Sequence, residues 1–196
     1  MADILLNLLI FAITPILLIY IGRTEGKEKL IPAFRFFTCL SNILCSLTAL
    51  VTAVSLAAGD LPEWVRILKY IGTAGVAVTM VTVFVYLAPV VGKDWVNVLV
   101  KGVSNFFMHV LTPLLALFTF CVLERRPMTF GQALWGLLPV ALYGPLYLYK
   151  TILAPEAKRW PDFYTFNKNG KWPLSFLLML IGNFLLCMAI MAIMNA

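Results

Sequence analysis

Charge is what this 196-residue chain has least of: Asp, Glu, Lys and Arg together make up 12% of it, against 62% hydrophobic residues. Ordinary soluble domains carry about twice that charged fraction, so a water-exposed globular surface is excluded. Histidine occurs once, which argues against a His-rich zinc or haem site. The four cysteines, Cys39, Cys45, Cys121 and Cys187, lie inside apolar runs without CxxC spacing. Neither a disulfide framework nor a thiolate metal site is expected from them, and no metal or other cofactor is called for. Low-complexity tracts and flexible linkers are missing as well, which leaves one domain over residues 1–196.

What the sequence has is long apolar runs, recurring along its whole length with a mean hydropathy of +0.93. Each approaches the ~20 residues an α-helix needs to cross a hydrocarbon core. Six are read, at about 4–22, 34–58, 66–90, 104–123, 130–150 and 173–195, and the expected fold is an all-α, polytopic six-transmembrane-helix bundle. The first run lacks a basic flank and a small-residue cleavage site, so it reads as a retained helix and not a removed signal peptide. With such short connections, any site must be built from helix faces and loop ends.

The basic residues divide by loop and do not form a patch interleaved with aromatics, so nucleic acid is not an expected partner. Eleven fall in or beside the odd-numbered connections and four beside the even-numbered ones: Arg66, Lys69, Arg125 and Arg126. The positive-inside rule then places the odd loops in the cytoplasm and both termini outside, in the inner membrane if the cell is bacterial. The long fifth connection, residues 151–172, mixes Trp, Tyr and Phe with Lys and Arg. It reads either as an aromatic anchor at the membrane interface or as a lid over a site.

Two stripes of polar residues interrupt this apolar background. Arg35, Thr38, Ser41, Asn42, Cys45, Thr48 and Thr52 recur every three or four positions in the second run, and Asn105, His109, Thr112 and Thr119 do so in the fourth. Polar faces are costly against lipid, so both should turn inward. Thr38 and His109 lie near the entrance of their runs from the same side, where they can meet. A hydroxyl beside a neutral imidazole is an arrangement for nucleophilic attack on an acyl carbon.

Each of these residues also has a plainer reading. Ser41, one turn deeper, is a rival nucleophile. Asn42 reads as a bridge between helices or an oxyanion donor. Arg35 either snorkels to headgroups or holds an anionic head or carboxylate. No acid lies within the second or fourth run to complete a triad, which leaves Asn105 and, in the long loop, Asp162 as candidate orienters of His109.

The strings FRFFTCLSNIL (34–44), FFMHVLTPLLAL (106–117) and RWPDFYTF (159–166), in that order and spacing, resemble the androgen-induced-protein family of six-helix membrane proteins and its bacterial relatives. The resemblance implies an intramembrane threonine hydrolase that cleaves lipid esters such as fatty acid esters of hydroxy fatty acids. By motif, Thr38 is then the nucleophile and His109 the base, with a lipid or fatty acyl ester as the substrate. The alternative from another class is a non-catalytic membrane protein that binds, carries or responds to a lipid or small molecule.

Overall fold

The computed structural model describes residues 1–24 and 26–196, with the Lys27 side chain outside the described set. Its described residues form helices and connections without a β-strand. We number the helices α1 (Ala2–Thr24), α2 (Lys27–Ala33), α3 (Phe37–Ala57), α4 (Glu63–Asp94), α5 (Val103–Leu123), α6 (130–153) and α7 (Trp172–Asn195). Five of them, α1, α3, α4, α5 and α7, are long and apolar enough to cross a membrane.

The sixth expected span is helical as well, but it is assembled from short α, 3-10 and π pieces and does not belong to those five. Its prolines account for part of this. Pro139 sits in the first turn after a 3-10 segment, and Pro145 lies within the α-helical piece that gives way to π geometry at Tyr149. A proline removes a backbone donor and crowds the preceding turn, so the regular ladder breaks near each one.

Helix α4 is the hub. Every residue from Tyr70 through Thr79 is buried, as expected of a helix enclosed on all sides. The small residues of this stretch permit the enclosure. A Cβ on Gly72 would come within 3.0 Å of the Cys45 Cα, and one on Gly75 would touch Ser41 and Pro139. Glycine thus lets α3 and α6 close on α4 from two sides. By contrast, α7 leaves Leu174, Leu177, Leu178, Ile181, Leu185 and Ile193 exposed, an apolar outer face suited to hydrocarbon and ill-suited to water.

The structure differs from the sequence reading in two places, the first of them at the site. The second helix begins at Phe37 and not at 34, because residues 27–33 form the separate helix α2 and the chain turns before Phe36, whose backbone is extended. Thr38 is therefore the second residue of its helix. Lys69 and Arg66, counted among the loop cations, are instead buried within the bundle at 0% and 2% exposure. Lys69 donates to Asn7 Oδ1 at 2.5 Å, and Arg66 holds Glu63 through two hydrogen bonds of 2.9 and 2.7 Å. Packing and pairing, not loop charge, explain why these two cations are present.

Candidate functional site

A threonine inside a helix commonly spends its hydroxyl on the carbonyl three or four residues back, as Thr48, Thr52, Thr79 and Thr119 do here. Thr38 makes no such bond, since no helical turn precedes it. Its own carbonyl accepts from Asn42 Nδ2 at 2.8 Å and from Ser41 Oγ at 3.1 Å. Thr38 lines a cavity of about 360 Å³, within the range of small-molecule sites.

His109 lines the same cavity. It sits in a π-helical turn, Phe107–Leu111, within α5. Pro113 lies four residues beyond it and has no N–H to give to the His109 carbonyl, which favours this widened turn. The imidazole Nδ1 is 2.6 Å from the Leu99 carbonyl oxygen. A carbonyl only accepts, so the proton is assigned to Nδ1 and Nε2 is left as the acceptor. Leu99 belongs to the π turn Val96–Val100 between α4 and α5 and also lines the cavity. Its backbone oxygen has the geometric role that a carboxylate has in a Ser-His-Asp triad.

The two side chains expected to orient His109 bond elsewhere. Asn105 donates through Nδ2 to the Val98 and Lys101 carbonyls at 3.2 and 3.4 Å, clamping the turn that carries Leu99. Its influence on His109 passes through that backbone. Asn105→Ala should therefore loosen the Leu99 contact and free the His109 ring, an outcome that imidazole nitrogen chemical shifts and thermal stability, measured together, would check.

Asp162 is the organiser of the long loop. Its Oδ1 accepts from the Tyr147 hydroxyl at 2.8 Å and the Phe166 N–H at 2.9 Å, and its Oδ2 from the Asn167 N–H at 2.7 Å. The Tyr164 N–H in turn donates to the Tyr147 oxygen at 3.2 Å. These bonds hold Thr165 at a φ of 52°, an unfavourable backbone for a β-branched residue. They also set Phe163, Tyr164 and Phe166 into the cavity wall. The loop therefore forms part of the cavity wall.

Tyr164 was not singled out from sequence. Its hydroxyl oxygen accepts the Phe37 N–H, at the start of α3, at 2.9 Å, and it interacts with the backbone and hydroxyl of Thr38. Burial pushes its phenol up to about 12, against the opposing pull of those donors. The aromatic loop composition and the RWPDFYTF string were its only signals. The Leu99 carbonyl, being backbone, gave none.

The remaining candidates are divided. Ser41 is buried, shares a 2.9 Å hydrogen bond with Thr79 Oγ1, and lines a second cavity with Pro139 and Leu142, away from His109. Asn42 bridges: its Nδ2 reaches the Met108 carbonyl at 3.2 Å, one residue from His109, and its backbone carbonyl accepts from Thr14. Arg35 is exposed, and its carbonyl, not its guanidinium, is engaged, accepting from Tyr143 at 2.7 Å. Among the described residues no cluster of His, Cys, Asp and Glu could hold a metal ion. Comparison with family models, curated proteins and solved structures finds no match to the chain.

Proposed function

We propose that the protein is a membrane-embedded lipid esterase whose helices α1 and α3 to α7 cross the bilayer six times, with the odd-numbered loops cytoplasmic. The single observation that carries the reading is that Thr38 and His109 line one largely apolar cavity. The substrate is an acyl ester such as a fatty acid ester of a hydroxy fatty acid. Its chain packs against Leu178, Met179 and Leu186 of α7 and Val78 and Val83 of α4, and its carbonyl lies at Thr38.

Thr38 Oγ1 attacks the acyl carbon while its proton passes to His109 Nε2, the lone pair left free by the Leu99 contact. The alcohol leaves with that proton, and water then releases the acid from the acyl-threonine by the same route. The apolar lining equally suits a lipid carrier, so the deciding experiment separates binding from turnover. Purified protein in detergent, given a panel of lipid esters, should release fatty acid catalytically. Stoichiometric binding of intact ester without release would replace the esterase with the carrier.

A further inference from the structure

Attack on an ester puts negative charge on the carbonyl oxygen, and the stabilising donor must lie beside the nucleophile, aimed at that oxygen. We propose that Tyr164 is this donor, holding the oxyanion through its phenolic O–H. The assignment rests on the reading of Thr38 as nucleophile.

Three observations place Tyr164 in this role. It lines the cavity with Thr38 and His109. Its oxygen accepts the Phe37 N–H at 2.9 Å and meets the Thr38 hydroxyl, so it stands at the nucleophile. Its ring is held by Tyr147 at 5.1 Å and Phe163 at 5.5 Å between centroids, and its backbone by the Tyr147 oxygen. The Tyr164 oxygen also meets the Tyr143 hydroxyl, whose hydrogen goes to the Arg35 carbonyl at 2.7 Å, so the Tyr164 phenol keeps its own hydrogen to give. The accepted N–H polarises the O–H and makes it a better donor. With the phenol pushed up to about 12, the proton stays in place at neutral pH.

The step balances. The bond from Thr38 Oγ1 to the acyl carbon forms, the carbonyl π pair moves onto oxygen, and the threonine proton goes to His109. Tyr164 shares its proton with the oxyanion without losing it. On collapse the pair returns, the bond to the alcohol oxygen breaks, and that oxygen takes the proton from His109.

A merely structural tyrosine would cap α3 through the same oxygen, so the test varies donor strength while keeping the cap. The probe is an alkyl fluorophosphonate. Thr38 Oγ1 forms a bond to its phosphorus, fluoride leaves, the proton goes to His109, and the phosphoryl oxygen takes the oxyanion position. The rate of labelling at Thr38 is read by mass spectrometry on the full chain in detergent.

Tyr164→Phe should slow labelling about 100-fold, the low end for loss of one oxyanion donor. Mono- and difluorotyrosine at position 164, which keep the hydroxyl and raise its acidity, should speed it in that order at neutral pH. Labelling of Tyr164→Phe at the wild-type rate overturns the proposal, and so does a flat fluorotyrosine series. Should the phenylalanine variant fail to fold, the fluorinated series decides alone. A wild type that takes no label at Thr38 instead removes the parent reading, and the role of Tyr164 with it.

Discussion

Thr38→Ala is expected to abolish ester hydrolysis, and His109→Asn to lower it by about 10³-fold, within the 10²- to 10⁴-fold that a positioned general base supplies. The two losses should not add. Nucleophile and base act on one proton in one step, so once the hydroxyl is gone the base has nothing to take, and the double variant should match Thr38→Ala. Thr38→Ser separates the hydroxyl from the methyl. It keeps the hydroxyl and drops a methyl from a half-buried side chain, so most activity should persist. Ser41→Ala should leave turnover near wild type, because Ser41 Oγ is bonded to Thr79 and the Thr38 carbonyl and lines a different cavity. Rates on one lipid ester for the five variants check the set. Activity that survives Thr38→Ala and vanishes in Ser41→Ala would reverse the assignment.

The helix positions were legible because they depend on run length and composition. Apolar runs of about 20 residues are hard to mistake, and α1, α5 and α7 start and end within a few residues of where the runs placed them. Legibility failed where one residue type answers to two forces. Phe34 and Phe36 are apolar enough to extend a helix even around Arg35, yet the chain turns there, and Thr38 falls at the start of α3 with no helical turn before it.

Helical spacing predicted that Thr38, Ser41 and Asn42 would turn inward, and Ser41 and Asn42 are buried. It could not tell them apart. Residues at i, i+3 and i+4 share a broad face, whereas the structure sends Thr38 to the cavity of His109, Ser41 to α4 and Asn42 to α5. The partner of His109 was illegible for a different reason. Sequence spacing distinguishes only side chains, and the group in contact is the Leu99 carbonyl, which any residue at that position would carry.

Asn7→Leu, a neutral exchange far along the chain from Thr38, is expected to destabilise the fold by about 3–5 kcal/mol, the range for breaking a buried ionic contact from one side. Asn7 is fully buried between a lysine and a glutamate. Its Oδ1 accepts from Lys69 Nζ at 2.5 Å, and its Nδ2 donates to Glu124 Oε1 at 2.6 Å and to the Asp3 carbonyl at 3.0 Å. The amide satisfies a cation on α4 and an anion just past the end of α5 at once. Leucine offers neither a donor nor an acceptor, so it strands both groups, where Lys69→Met or Glu124→Gln removes one charge. Single variants at Lys69 and Glu124 should therefore each cost less than Asn7→Leu.

The triple exchange Asn7→Leu, Lys69→Met and Glu124→Met should recover much of the loss, because apolar replacement of a complete buried polar set is often neutral. Thermal unfolding in detergent followed by circular dichroism gives the ranking. If Asn7→Leu proves the mildest of the three single changes, the amide is not the link between the charges. Glu124 Oε2, buried without a partner, sharpens the expectation. The Asn7 amide gives the carboxylate its 2.6 Å hydrogen bond at Oε1, and removing the amide takes that bond away.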